Sequence, residues 1–163
     1  MLLPACGAPA RTASSPAGDA RWAADTELSW GEMQRLLVGH WRATTPENRT
    51  IDVSYRVVSK GSALVETFTT ATGNETITVY HRDGRALVLT HYCAQGNQAR
   101  LKATEATRER VVFSFLDATN VREDQGVMHK LAIVFRPDGF DQETVYRESS
   151  GAQETTTLHF FRH

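Results

Sequence analysis

The sequence predicts an all-β protein: an antiparallel up-and-down barrel of about ten strands, preceded by one short helix. After residue 39 the apolar residues alternate with a period of two, which is typical of half-buried strands. Short turns rich in Gly, Asp and Asn separate these runs at spacings typical of all-β barrels or sandwiches. Helices and strands never alternate, which argues against a parallel α/β sheet. Consecutive strands joined by short turns favour closure, because closure removes exposed strand edges.

Composition limits the classes of function. The chain has 163 residues, 40% of them hydrophobic and 23% charged, which fits one globular domain with a sizeable core. The net charge is −1, so the chain lacks the excess of basic residues that binding to phosphate backbones requires. We therefore expect no nucleic-acid partner. No apolar run approaches the roughly 20 residues that a transmembrane helix needs.

The first 27 residues predict a flexible tail before a domain at 28–163, because they are rich in Ala, Pro, Gly and Ser. Residues 3–6 resemble the end of a bacterial lipoprotein signal, and Cys6 is the candidate for a lipid tether. The charged start and apolar segment of a full signal are missing. We expect a remnant of an export signal and a periplasmic or membrane-tethered protein; the alternative is a cytoplasmic protein with an unstructured tail.

The helix is predicted over residues 28–38. Ser29 can act as N-cap, with Glu32 three positions later completing a capping box. Gly39 is placed to end the helix. The apolar residues recur at helical spacing and form one stripe, which consists of Trp30, Met33, Leu36 and Leu37. Such an amphipathic element predicts a lid over one end of the barrel.

The strands follow in order to the end of the chain. Asp83-Gly84 is a strong hairpin signal, because glycine accepts a positive φ, and residues 137–139 form another turn. The predicted strands are residues 39–43, 51–57, 62–70, 76–82, 85–92, 100–104, 110–116, 128–136, 140–147 and 154–161.

The first strand and the end of the last strand carry residues that resemble those of a known group of barrels. Gly39-His40-Trp41 opens the first strand and Arg162 follows the last one, which resembles the calycin pattern of lipocalins, fatty-acid-binding proteins and nitrobindins. The resemblance implies that the Trp41 indole packs across the barrel end with Arg162 over the ring. Such a stack adds a cation–π contact worth about 0.5–2 kcal/mol to apolar burial.

A paired hairpin motif is more distinctive. Residues 78–84 and 89–98 resemble bacterial calycin-like proteins, and the resemblance extends over about residues 30–163. It implies the barrel fold but no particular reaction, because that group has no settled activity.

Three polar side chains are predicted to share a strand face with apolar residues: Glu66, His81 and His91. Burying them is costly unless they pair with one another or serve a ligand. We therefore predict a cavity lined by these three and by Tyr92, with Asn97 and Gln98 at its mouth. The alternative is that they satisfy each other or reach solvent, and that Asn97 and Gln98 simply form a turn.

The predicted function is binding of a small, partly apolar ligand, since a neutral imidazole can orient a carbonyl, carboxylate or hydroxyl group. One alternative is an enzyme with His81 or His91 as general base, oriented by Glu66. Another is nitrobindin-like haem binding through His159. Apart from that haem we expect no cofactor. We also expect no metal, because His81 and His91 lack the short H-x-H or H-x-x-x-H spacing that would fix a metal site.

Overall fold

The computed structural model describes residues 28–70 and 72–163. The predicted tail, and with it Cys6, lies outside these residues. Helix α1 spans Trp30–Leu37. The ten strands are β1 Gly39–Thr44, β2 Thr50–Val58, β3 Ala63–Thr69, β4 Glu75–Asp83, β5 Ala86–Tyr92, β6 Gln98–Ala106, β7 Arg110–Thr119, β8 Val127–Phe135, β9 Gly139–Arg147 and β10 Gln153–Arg162.

The strands form a closed barrel in which each one pairs antiparallel with its neighbours in sequence, and β1 pairs with β10. The predicted fold class is therefore confirmed: one short helix and ten strands in up-and-down order. No helix in the described part of the chain has the length and apolar character that a bilayer crossing requires.

Helix α1 begins as predicted. The Glu32 backbone N–H donates to the Ser29 hydroxyl oxygen at 3.2 Å, and the Ser29 N–H donates to the Glu32 carboxylate at 3.1 Å. This reciprocal capping box satisfies donors that the first helical turn leaves without partners. The start of the helix is therefore defined by its own residues.

The helix covers one end of the barrel, called here the capped end. Met33 and Leu37 are fully buried beneath it. The side chains of Trp30 and Gln34 both donate to the Gly61 carbonyl in the β2–β3 turn, at 2.8 and 2.9 Å. The lid role predicted from the apolar stripe is confirmed. The opposite, open end carries the β1–β2, β3–β4, β5–β6, β7–β8 and β9–β10 turns.

The predicted end-stack is present at the capped end. Trp41 and Arg162 are register partners, and the Arg162 guanidinium carbon lies 4.3 Å from the centre of the indole. The indole N–H donates to the Leu37 carbonyl at 2.7 Å. Gly39 has a φ of 136°, and a Cβ there would lie 2.7 Å from Arg162 Nη1. A glycine at this position therefore admits both the backbone turn and the guanidinium.

Aromatic rings fill the space beneath this stack. Trp41 meets Phe140 edge-on with ring centres 5.0 Å apart, and Phe140 stacks on Phe160 at 5.2 Å. Tyr80 contacts Phe113 edge-on at 5.7 Å. Aromatic pairs of this kind add specific geometry to a large burial of apolar surface. The capped half of the barrel is therefore a packed core.

The seam that closes the barrel is short. Strand β1 pairs with β10 only at Trp41–Arg162 and Arg42–Phe161, whereas β9 pairs with β10 along residues 153–161. The register with β9 places Thr156 of β10 on the same face as the inward-facing Phe160, yet Thr156 is exposed. The inner wall is therefore reachable by solvent on the open-end side of β10.

Candidate functional site

Four polar side chains lie side by side on the inner face of strands β2 to β5. The register pairs Tyr55 with Glu66, Glu66 with Thr78, and Thr78 with His91. All four are buried, with Glu66 and Tyr55 each 2% exposed. We call these four residues the polar row. The row runs across four neighbouring strands as one continuous polar strip inside a mostly apolar interior.

Glu66 is held by a tyrosine. The Tyr80 hydroxyl donates to Glu66 Oε2. Burial raises the pKa of Glu66 above its usual range, and hydrogen bonds from Tyr80, Tyr55 and Gln142 oppose this increase. The neutral acid is therefore favoured more than at an exposed position.

Two further side chains turn towards this carboxyl. They are Tyr55 on β2 and Gln142 on β9, and both are buried. Burial, and then the Glu66 charge, raises the pKa of Tyr55 well above its usual value, so its hydroxyl keeps its proton. A buried carboxyl surrounded by three polar side chains is costly to keep inside a barrel, and such groups in native structures call for an explanation.

His91 closes a second set of contacts at the end of the polar row. Its Nδ1 lies 3.0 Å from the Thr78 hydroxyl oxygen, and its Nε2 lies 3.0 Å from the Tyr146 hydroxyl oxygen of β9. Burial lowers the pKa of His91 to about 4. The imidazole is therefore neutral at neutral pH, with one nitrogen donating and the other accepting.

The prediction that His81 faces the interior is wrong. Strand β4 turns Thr78 and Tyr80 inward, so His81 points outward, where its Nδ1 lies 3.2 Å from the Arg82 carbonyl. Ile77, on the same outer face, is 38% exposed. Both faces of β4 carry apolar or aromatic residues, so alternation alone did not distinguish the inner face.

The prediction that Tyr92 lines the cavity is also wrong. Tyr92 follows the inward-facing His91 on β5 and therefore points outward, with 48% of its surface exposed. The inner face of β5 is the one predicted for His91, so on this strand the alternation was interpreted correctly.

Asn97 and Gln98 tie turns together at the open end. The buried Asn97 amide donates to the Gly126 carbonyl at 3.1 Å, and the Gln98 amide donates to the Gly96 carbonyl at 2.8 Å. Gln98 also accepts from the Thr119 hydroxyl at 2.9 Å. These contacts join the β5–β6 turn to the β7 end and the β7–β8 loop, which fits the alternative prediction of a turn role.

His159 lies on the outer wall of β10. Its Nδ1 is 2.7 Å from the Asp141 carboxylate, and its face of the strand is opposite to that of Phe160. A haem held by His159 would therefore sit outside the barrel, away from the polar row.

Sequence reasoning missed four residues of this interior: Tyr55, Tyr80, Gln142 and Tyr146. Tyr55 lies in the clearest alternating run of the chain, which was a usable signal. Gln142 alternates with the buried Phe140, but a polar residue in a mixed strand gives no comparable signal.

Two clefts lie away from the polar row. One, of about 570 Å³, is lined mainly by residues of β1 to β4, including His40, Asp52 and Thr67. The other, of about 420 Å³, lies at the open end beside His129 and Arg147. Within residues 28–70 and 72–163, no group of three or more His, Cys, Asp or Glu side chains is arranged to hold a metal ion.

Comparison with protein-family models found no match, and a search of curated proteins found no similar sequence. The closed antiparallel ten-strand barrel with one short helix is consistent with a calycin-like barrel.

Proposed function

We propose that this calycin-like barrel binds a small, partly apolar molecule in its interior, against the polar row. The observation that supports the proposal is the polar row itself: a carboxyl and an imidazole, Glu66 and His91, buried inside the barrel. Barrels of this class either fill their interior with side chains or hold one small ligand. A few polar groups among apolar walls are what a ligand site needs for orientation.

The walls around the row supply the apolar part of such a site. Phe68 packs edge-on against Phe160 at 6.2 Å, and Leu64 and Leu89 are fully buried on the strands that carry the row. A ligand body would gain from leaving water, at about 25 cal/mol for each Å² of apolar surface buried. The polar atoms would then determine the orientation of the ligand more than its affinity.

The approach to the site is along β9 and β10 from the open end. Thr156 is exposed on the inner face of β10, and its register partner Thr144 is half-buried on β9. Gln142 is the next inward-facing residue of β9 towards the capped end. A molecule entering beside Thr156 would therefore reach Gln142 before the aromatic core.

Native mass spectrometry of the protein purified from its own source tests the proposal. We expect an added mass that denaturation releases and that the His91→Leu variant retains weakly or not at all. The matched control is His81→Leu, which changes the same residue type on the outer wall and should keep the added mass. An unliganded mass for the wild-type protein, together with no binding from a screen of small apolar compounds, would contradict the proposal.

A catalytic role for His91 finds less support. Its two nitrogens are occupied by Thr78 and Tyr146, and burial lowers its pKa to about 4, which makes it a weak base. Glu66 bonds to Tyr80, so the predicted role of Glu66 in orienting the histidine belongs to Thr78 and Tyr146 instead.

A further inference from the structure

We propose that one side of the capped end is a docking surface for an anionic lipid bilayer. Five basic residues on and between strands β2 to β6 form this surface, and all five are exposed to solvent. We call them the basic rim; they are Arg56, Lys60, Arg82, Arg85 and Lys102. The proposal goes beyond binding inside the barrel, because it concerns the outer surface and no residue of the polar row.

Three residues of the basic rim lie at the tips of two neighbouring hairpins. Lys60 is in the β2–β3 turn, and Arg82 and Arg85 lie on either side of Asp83-Gly84 in the β4–β5 hairpin. Strands β3 and β4 pair with each other, so the two turns are adjacent at the capped end. These tips therefore carry three cations and one acidic residue, Asp83.

The other two residues extend the basic rim along the outer wall. Arg56 follows the inward-facing Tyr55 on β2, and Lys102 follows the inward-facing Leu101 on β6, so both point outward. Neighbouring strands lie about 4.8 Å apart, so the rim extends roughly 20 Å across five strands. Neither of the two clefts described above includes a rim residue. The rim is therefore a broad surface and not a pocket for one small anion.

The charges of the basic rim are not neutralised by carboxylates within residues 28–70 and 72–163. None of the five side chains forms an ion pair there, whereas Lys130 and Arg136, elsewhere on the barrel, contact carboxylates at 2.7 Å. The net charge of the whole chain is −1, so the rim is a local excess of positive charge on a molecule that is nearly neutral. Such a patch concentrates anionic partners at one face of a protein.

The residues around the basic rim favour a bilayer over a nucleic acid. Proteins that bind single strands stack the bases on exposed aromatic side chains. Among the described residues the exposed aromatic side chains lie outside the rim; they are Tyr92, Phe115 and Phe161. An exposed apolar residue within the rim is Val57, which follows Arg56 and is 40% exposed. Binding to an anionic bilayer combines attraction to the headgroups with burial of such apolar groups at the interface.

Co-sedimentation of the full chain with lipid vesicles tests the proposal. We expect binding to phosphatidylcholine vesicles that contain about one third phosphatidylglycerol, and none to pure phosphatidylcholine. The affinity should fall steeply as NaCl is raised from about 0.05 M to about 0.5 M, because salt shortens the range over which exposed charges attract the surface. Equal binding to both kinds of vesicle would overturn the proposal.

A variant with three substitutions assigns the binding to the basic rim: Arg56→Gln, Arg85→Gln and Lys102→Gln. We expect the affinity for the anionic vesicles to fall about a hundredfold, since each Lys or Arg near such a surface contributes about 1 kcal/mol. All three positions are exposed, so the variant should keep its fold, which circular dichroism checks.

The matched control removes the same number of positive charges near the open end. Its substitutions lie at exposed positions and leave the same net charge; they are Arg49→Gln, Arg122→Gln and Arg147→Gln. The control should bind the anionic vesicles nearly as well as the wild type. An equal loss of affinity in both variants would mean that net charge attracts the bilayer, and the rim would lose its assigned role.

Two further probes distinguish a bilayer from other acidic partners. Polyglutamate represents an acidic protein segment, and a duplex oligonucleotide represents a nucleic acid. Tighter binding of the wild type to either probe than to the anionic vesicles would overturn the proposal and assign the basic rim to that class of partner. The proposed function is judged separately, by the co-purified mass and its loss in His91→Leu, so either proposal can fail without the other.

Discussion

The capped end and the polar row are both buried parts of one barrel, yet they contain different kinds of polar group. At the capped end the Trp41 indole N–H has the Leu37 carbonyl, and Arg162 lies over the ring and donates to the Val38 carbonyl at 3.4 Å. In the polar row a carboxyl and an imidazole are buried, and burial raises the pKa of Glu66 and lowers that of His91. Sites that break a local rule of stability are where function is expected. The first region holds the fold together, and the second is the proposed ligand site.

Trp41→Ala should have the largest effect on stability, because it removes a buried indole and the surface on which Arg162 lies. We expect the free energy of unfolding to fall by about 3–5 kcal/mol, the range for large aromatic residues in cores. Urea denaturation followed by circular dichroism measures it. Phe161→Ala truncates an exposed aromatic residue at the same seam and should cost much less. A similar loss of unfolding free energy in both variants would show that Trp41 is not central to the stability of the barrel.

Acid should weaken the barrel through His91. The pKa of His91 is lowered by burial to about 4, so the stability it contributes is present above its unfolded pKa near 6.5 and is lost as pH falls through about 4. The linkage amounts to about 3 kcal/mol between these limits.

Comparison of variants isolates this contribution from that of the carboxylates. Urea unfolding at pH 7, 6, 5 and 4 should show a smaller loss of stability for His91→Gln than for the wild type. His81→Gln, on the outer wall, should follow the wild-type curve. If His91→Gln and the wild type lose stability in parallel, His91 is not buried in its neutral form.

Arg162→Ala should have a smaller effect than Trp41→Ala. The guanidinium is exposed, and a cation–π contact of this kind contributes about 0.5–2 kcal/mol. We expect Arg162→Lys to recover part of the loss, since it keeps the charge without the planar group. Thermal unfolding with Arg56→Ala as an exposed control measures the difference. Equal melting temperatures for Arg162→Ala and Arg56→Ala would mean that the stack adds no stability.

The difference between the two regions also explains what could be predicted from sequence. The helix, its capping box, the ten strands and the Trp41–Arg162 stack all follow from local patterns or from a short motif, and the structure confirms them. Each depends on residues whose chemistry allows few alternatives at that position.

The polar row was only partly predictable. Glu66 and His91 were placed on the correct faces, but the phase of β4 was misassigned, so His81 replaced Tyr80 in the predicted cavity. When a strand has apolar residues on both faces, its register with the neighbouring strands determines which face points inward. Here Tyr80 pairs with the buried Leu64. Gln142 reaches the polar row from β9, which is far in sequence from β2 to β5. No local sequence pattern predicts such a contact.

The central claim is that the polar row is a ligand site and not a structural core. Gln142→Leu tests it most directly when native mass spectrometry and unfolding free energy are measured on the same preparation from the protein's own source. We expect the variant to lose about 1 kcal/mol of stability, because a hydrogen bond to Glu66 is removed, and to lose most of the added mass that the wild type carries. A loss of stability with an unchanged added mass would contradict the claim, because Gln142 would then serve the fold alone.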